Sequence, residues 1–288
     1  MQINIGFSID DNYSQHCGTL IASILKSSIS EDSYKFYIVH KFISDENKAK
    51  FEELKKIKNF EIEYLKIDDT FFQTVKFYEK LRVEQFYRFF LFSLTDINKI
   101  LYLDSDLIVR HDIGELFRTN IDNYYIAGVE DIVGKSLIEH YKLSPTTTYV
   151  NSGVLLINLE KTRQVNHFDF IKNLPIEFSS KNFGDQDIIN YIYQDKILPL
   201  DLKWNFSYPY RTTYSNPNYY HMTSKNPSIV HYITDQKPWV AGTMPYKKEE
   251  YFKYAKLTPW FKDFIDLYIV QENQLIFKKL DEILKKLG

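Results

Sequence analysis

The sequence predicts an α/β fold: a mostly parallel central sheet with helices packed on its faces. Three observations point there. Apolar segments with strand and helix periodicity alternate through the first 65 residues. Polar residues stand where the strands end, the usual place for a ligand crevice in an open α/β sheet. A pair of aspartates, Asp104 and Asp106, closes the buried run 97–103.

Ile3, Ile5, Phe7 and Ile9 alternate with Asn4, Gly6 and Ser8, a first strand that stops at Asp10-Asp11-Asn12. Leu20, Ile21, Ile24 and Leu25 have helical spacing, and 36–39 is a second strand. Ser44 before Asp45 and Glu46 marks a helix start, with Phe51, Leu54 and Ile57 as its buried stripe. Phe60, Ile62 and Tyr64 alternate as a third strand. A helix over 84–94 carries Arg88 inside an aromatic run. Beyond the aspartate pair, 107–109 is a second apolar run, 125–129, 154–157 and 229–232 read as strands, and Gly184-Asp185-Gln186-Asp187 opens a helix. Neither a repeat nor a low-complexity linker divides these pieces, so the expected organisation is one domain over 1–250 and a helical extension over 251–288.

Composition narrows the function classes. A chain of 288 residues, 44% hydrophobic, buries a substantial core. With 36 basic and 38 acidic residues, its net charge of -2 offers no basic field for nucleic acid. A single cysteine, Cys17, allows neither an internal disulfide nor a C-x-x-C zinc site. The N-terminal stretch lacks signal-peptide regions, and no apolar stretch reaches membrane-spanning length. The expectation is a cytoplasmic protein, peripheral at most on the cytoplasmic face of an inner membrane.

Two carboxylates one residue apart at the end of a buried strand are costly without a partner. In extended chain alternate side chains share a face, so Asp104 and Asp106 can converge while Ser105 points elsewhere. Hard oxygen ligands suit magnesium or manganese, ions that also hold substrate phosphates. Solvated loop aspartates are the other reading of these three residues.

Six stretches then occur in one order: F-S-I-D-D-N-Y at Phe7 to Tyr13, Y-R at Tyr87-Arg88, L-Y-L-D-S-D at Leu101 to Asp106, N-S-G-V-L-L-I-N-L at Asn151 to Leu159, G-D-Q-D at Gly184 to Asp187, and H-Y-x-x-x-x-K-P-W at His231 to Trp239. In this the chain resembles family-8 retaining glycosyltransferases, a group that includes bacterial lipooligosaccharide galactosyltransferases and glucosyltransferases. The resemblance implies a GT-A, Rossmann-like nucleotide-sugar-binding domain. It also implies manganese, with magnesium as the alternative, and a UDP-hexose donor, UDP-galactose or UDP-glucose, whose sugar passes to a saccharide acceptor with its anomeric configuration kept. Residue by residue, it assigns the metal to Asp104, Asp106 and His231. Ser8, Asp10 and Asn12 fall to the uridine and ribose, and Lys237 to the diphosphate. Arg88, Asp131, Asn151, Asp185 and Gln186 fall to the donor sugar, and Ser105 joins the donor-binding set. Gln186, Asp185 and Asp131 are the catalytic candidates. One departure stands out: Thr234 occupies a position where the family usually has glycine.

The acceptor side is less marked. Tyr208, Tyr210, Tyr214, Tyr219 and Tyr220, with Pro209 and Pro217, form a loop-like run of amphipathic rings, a candidate acceptor wall. After Pro259 the chain is amphipathic, suited to an anionic membrane surface bearing a lipid-linked acceptor, to its own domain, or to a second subunit in a homo-oligomer. Two other functions share these motifs. A nucleotide-sugar-binding protein without turnover would bind UDP-sugar yet release no UDP. A D-x-D phosphatase would carry its nucleophile on the first strand, whereas several strand-helix units precede Asp104.

Overall fold

The computed structural model describes residues 1–68, 70–73, 83–173, 184–207 and 217–287. β1 (Gln2–Ser8), α1 (Ser14–Ser27), β2 (Ser33–His40), α2 (Asp45–Glu53) and β3 (Glu61–Lys66) follow in turn. Next come β4 (Lys99–Leu103), β5 (Leu107–Val109), β6 (Ile126–Glu130), α3 (Gly134–Tyr141), β7 (Val150–Asn158), α4 (Asp185–Ile192) and β8 (Ile197–Leu200). α5 (Pro217–Lys225), β9 (Ile229–His231), α6 (Lys248–Ala255) and α7 (Phe261–Leu287) close the chain.

Among the described residues the main sheet has seven strands, ordered β3-β2-β1-β4-β7-β6-β8. Every neighbouring pair is parallel except those made by β7, which runs antiparallel to both β4 and β6. That single reversal matters for the site. It sets the start of β7 beside the ends of β4 and β6. β5 and β9 form a separate antiparallel ribbon.

The strands are apolar on both sides because helices cover both faces. On β4, Leu101 and Leu103 join one core and Ile100 and Tyr102 the other; on β7, Val154 and Leu156 divide likewise from Leu155 and Ile157. α2 begins where the sequence predicts, with the Ser44 side chain accepting from Asn47 N. Gly18 lets α1 press against the Trp260 ring, which a Cβ would meet at 2.3 Å.

The segment predicted as a helix over 84–94 is a 3-10 helix, Val83–Ser93. Its geometry stacks side chains three apart, and Phe86, Phe89 and Phe92 are all fully buried at that spacing. Aromatic packing at period three outweighs the α geometry. The tyrosine run divides: Tyr208, Tyr210 and Tyr214 lie outside the described residues, as does the Tyr219 side chain. Pro217 begins α5, and Tyr220 is core, its hydroxyl donating to Ser207 O at 3.1 Å and its ring against Phe206. No helix among the described residues is long and apolar enough to cross a membrane.

Candidate active site

The site lies where β4, β6 and the start of β7 meet the β5-β9 ribbon. Asp104 follows β4, and its N–H donates to Gly153 O at 2.8 Å, fixing the turn against β7. β5 pairs with β9 so that Leu107 faces His231, and Tyr232 N donates to Asp106 O at 3.0 Å. The ribbon thereby carries His231 to the aspartate turn, more than a hundred residues away in sequence. Gly153 makes room for it: a Cβ there would stand 2.2 Å from His231 Cε1 and 2.8 Å from Asp104 Oδ2.

Asp104, Asp106 and His231 offer one ligand atom each, all within 4.8 Å of one another. His231 Nε2 stands 3.2 Å from Asp106 Oδ1 and 3.9 Å from Asp104 Oδ2. Lys237 Nζ donates to the other Asp106 oxygen at 2.5 Å and to Tyr232 O. Burial alone would raise the Asp106 carboxyl, but the His231 imidazole and the Lys237 ammonium outweigh it and hold the group far below the ordinary carboxylate range.

The orientation of His231 comes from a residue outside the sequence assignments. Its Nδ1 donates to Asn205 Oδ1 at 2.8 Å, which turns Nε2 toward the two aspartates. Asn205 in turn donates through Nδ2 to Asn151 Oδ1 at 2.8 Å, and Gly153 N donates to the same oxygen at 3.0 Å.

Arg88 is the hub of the opposite wall. Its Nη2 donates to Asp104 Oδ1 at 3.0 Å, its Nη1 to Ser152 O and Oγ at 3.0 and 3.1 Å, and its Nε stands 3.0 Å from Asp185 Oδ2. The guanidinium also lies over the Tyr102 ring, 4.5 Å from its centre, and Tyr102 donates its hydroxyl to Asp104 Oδ1 at 2.7 Å. Tyr102 and Asp104 meet because alternate residues of an extended strand share a face. Burial raises the Asp185 carboxyl, and Arg88 offsets only part of that rise. Asp187 serves the helix instead: its Oδ2 accepts from Gly184 N at 2.8 Å, and Tyr149 donates to its other oxygen.

Gln186 is held at both ends. Its Oε1 accepts from Asn151 Nδ2 and Ser152 N, each at 3.1 Å, and its Nε2 donates to Asp131 Oδ2 at 3.2 Å. Asn151 Nδ2 also donates to that Asp131 oxygen at 3.3 Å. Asp131, Gln186, Asn151, Asn205 and His231 therefore form one continuous hydrogen-bonded chain.

A cleft of about 500 Å³ is lined by Ser8, Asp10 and Tyr13 together with Arg88, Tyr102 and the aspartate turn; His231, Lys237, Asp185 and Gln186 are not among its lining residues. Asp131 and Asn151 line a separate cavity of about 20 Å³ with Asn205. Ser105 is buried and lines the large cleft together with the aspartates that flank it. Asn12 is exposed on the adjoining turn and is not among the cleft's lining residues. Thr234 is not among the residues with positive φ, so the backbone angle there does not call for glycine. The Lys237 segment is pinned by Trp239, stacked on the His16 ring at 3.7 Å, while Tyr251 pairs with His16 Nδ1 at 2.8 Å. Burial pushes the His16 imidazole down to about 3, so it packs as a neutral ring.

Sequence reasoning missed Asn205 and Tyr102. The alternation of β4 carried a signal for Tyr102, two residues before Asp104. Asn205 had none, since it lies in an irregular stretch.

The comparisons agree with this geometry. The profile of glycosyl transferase family 8 matches residues 4–242. General stress protein A of Bacillus subtilis is 29% identical over 87% of this chain and 92% of its own length. The lipopolysaccharide 1,2-glucosyltransferase of Escherichia coli is 25% identical over 91% and 80%. Among solved structures, the galactosyltransferase LgtC in complex with donor and acceptor sugar analogs superposes with a TM-score of 0.74 at 22% identity, covering 89% of this chain and 96% of that one. The fold is GT-A-like, and the chain belongs to glycosyl transferase family 8.

Proposed function

We propose that this glycosyltransferase moves galactose or glucose from a UDP-sugar to a saccharide acceptor, keeping the anomeric configuration, in the synthesis of lipopolysaccharide, lipooligosaccharide or another cell-surface glycan. One observation carries the reading: Asp104 and Asp106, which line a 500 Å³ cleft, converge with His231 within 4.8 Å, and Lys237 pairs with Asp106. The sugar classes come from the names of the two transferases to which the chain is similar.

The three side chains suit a divalent cation, since two carboxylates with one imidazole favour manganese over magnesium. Bound there, such a cation supplies Lewis-acid stabilisation of charge on the departing diphosphate. Everything else is the work of the chain. Lys237 sets an ammonium where that charge develops. Ser8, Asp10 and Asn12 lie on the uridine side. Arg88 fixes Asp104 and Asp185 together and so orients the sugar.

Attack from the front face fits the site better than double displacement. Asp185 is paired with Arg88, and Asp131 accepts from two amide groups, so both carboxylates are engaged as positioning groups. Gln186 is an amide, a poor nucleophile, and its oxygen supports positive charge at the anomeric carbon. In this reading the departing phosphate takes the acceptor's proton.

The test is a panel of UDP-sugars scored by UDP release, with manganese or with EDTA. UDP-galactose or UDP-glucose is expected to release UDP only with manganese. Binding of UDP-sugars without release from any of them would mark a protein that binds the donor without turnover.

A further inference from the structure

α7 presents two apolar faces, and its own domain covers only one. Phe264 and Tyr268 stack against Phe252, and Glu272 accepts from Gly242 N at 3.0 Å. Leu275 makes the last of these contacts, against Gly242. The helix continues to Leu287, roughly three further turns.

A second stripe, flanking the docked face, is open. Ile269, Val270, Ile276, Phe277, Leu280 and Ile283 are 48–66% exposed. Scattered exposed apolar residues such as Leu267, Val270 and Phe277 need no explanation, but Ile269, Ile276, Leu280 and Ile283 are periodic. Ile269, Ile276 and Ile283 recur every seven residues, and Asn273, Leu280 and Leu287 stand four after each in the sequence. Alternating steps of four and three form the seam of a coiled coil, an average period of 3.5 that keeps one stripe facing a partner helix. A flat lipid surface does not select that period.

We infer that α7 is an oligomerisation element, and that its open stripe packs against the same stripe on other copies of this chain. The charge balance favours a helix over an anionic bilayer as occupant. Five lysines stand against five acids between Phe261 and Leu287, so the helix has no net positive charge to draw it to lipid head groups. Asn273 supplies the single polar seam position that sets register in such assemblies. Leucine at the Asn273-type positions with isoleucine at the others favours more than two strands.

Sedimentation equilibrium of the full chain at tens of micromolar tests this. The mass is expected to be at least twice the 34.4 kDa of one chain. Ile276→Glu with Ile283→Glu should return it to one chain, with the far-UV circular dichroism of a folded chain retained and a thermal midpoint that no longer rises with protein concentration. Lys278→Ala, on the far side of the helix, should leave the assembly intact. A monomeric wild-type chain overturns the proposal, as does a double variant that keeps the wild-type mass. Co-sedimentation of a monomeric wild-type chain with phosphatidylglycerol vesicles overturns it in favour of a lipid surface.

Discussion

Asp106→Ala is expected to lower UDP release by at least about a thousandfold while leaving the fold intact. The carboxylate does three things at once. It faces His231 Nε2 at 3.2 Å, accepts from Lys237 at 2.5 Å, and completes the trio with Asp104. Loss of a metal ligand removes several kcal/mol of charge stabilisation, and about 4 kcal/mol corresponds to roughly a thousandfold in rate. The fold should survive because Lys237 keeps Tyr232 O as an acceptor and His231 keeps Asn205. UDP release and the thermal midpoint, measured on the same preparation, check both halves. Turnover close to wild type would refute the assignment of Asp106.

Arg88→Ala should damage stability as well as activity. Arg88 is 7% exposed and serves Asp104, Asp185, and the backbone and side chain of Ser152 together. Its removal leaves two confined carboxylates without their cation, a change that costs about 3–5 kcal/mol where one partner of a buried pair is deleted. For a chain of this size that lowers the thermal midpoint by roughly 10 °C, at about 2–4 °C per kcal/mol. Arg88→Lys should recover little, because a single ammonium cannot reproduce the fork that reaches both carboxylates and Ser152. An Arg88→Ala chain that melts with the wild type would show that the network carries no stability.

Much of this architecture is legible in the sequence because the sheet is buried on both faces. Runs such as Ile100 to Leu103 are apolar at every position, and the mostly parallel sheet follows from their alternation with helical segments. The reversal of β7 is not legible, since Val154 to Ile157 would read the same in either direction. The aspartate pair announces itself by its cost. His231 does not, because its place depends on the β5-β9 pairing between segments far apart in the chain. Phe86, Phe89 and Phe92 recur at period three, a spacing that an α-helix and a 3-10 helix share over two turns, so the sequence does not separate the two. Asn205 is set in place by tertiary packing alone: it acts through His231 and Asn151, and an asparagine in irregular chain carries no pattern.

The central claim is that Asp104, Asp106 and His231 hold a divalent cation against a nucleoside diphosphate. Electron paramagnetic resonance of manganese titrated into the chain with UDP tests it most directly. The account predicts that the free-ion signal disappears up to one equivalent per chain, and that Asp106→Ala leaves it in solution. A free-ion signal that persists through the wild-type titration would contradict the claim.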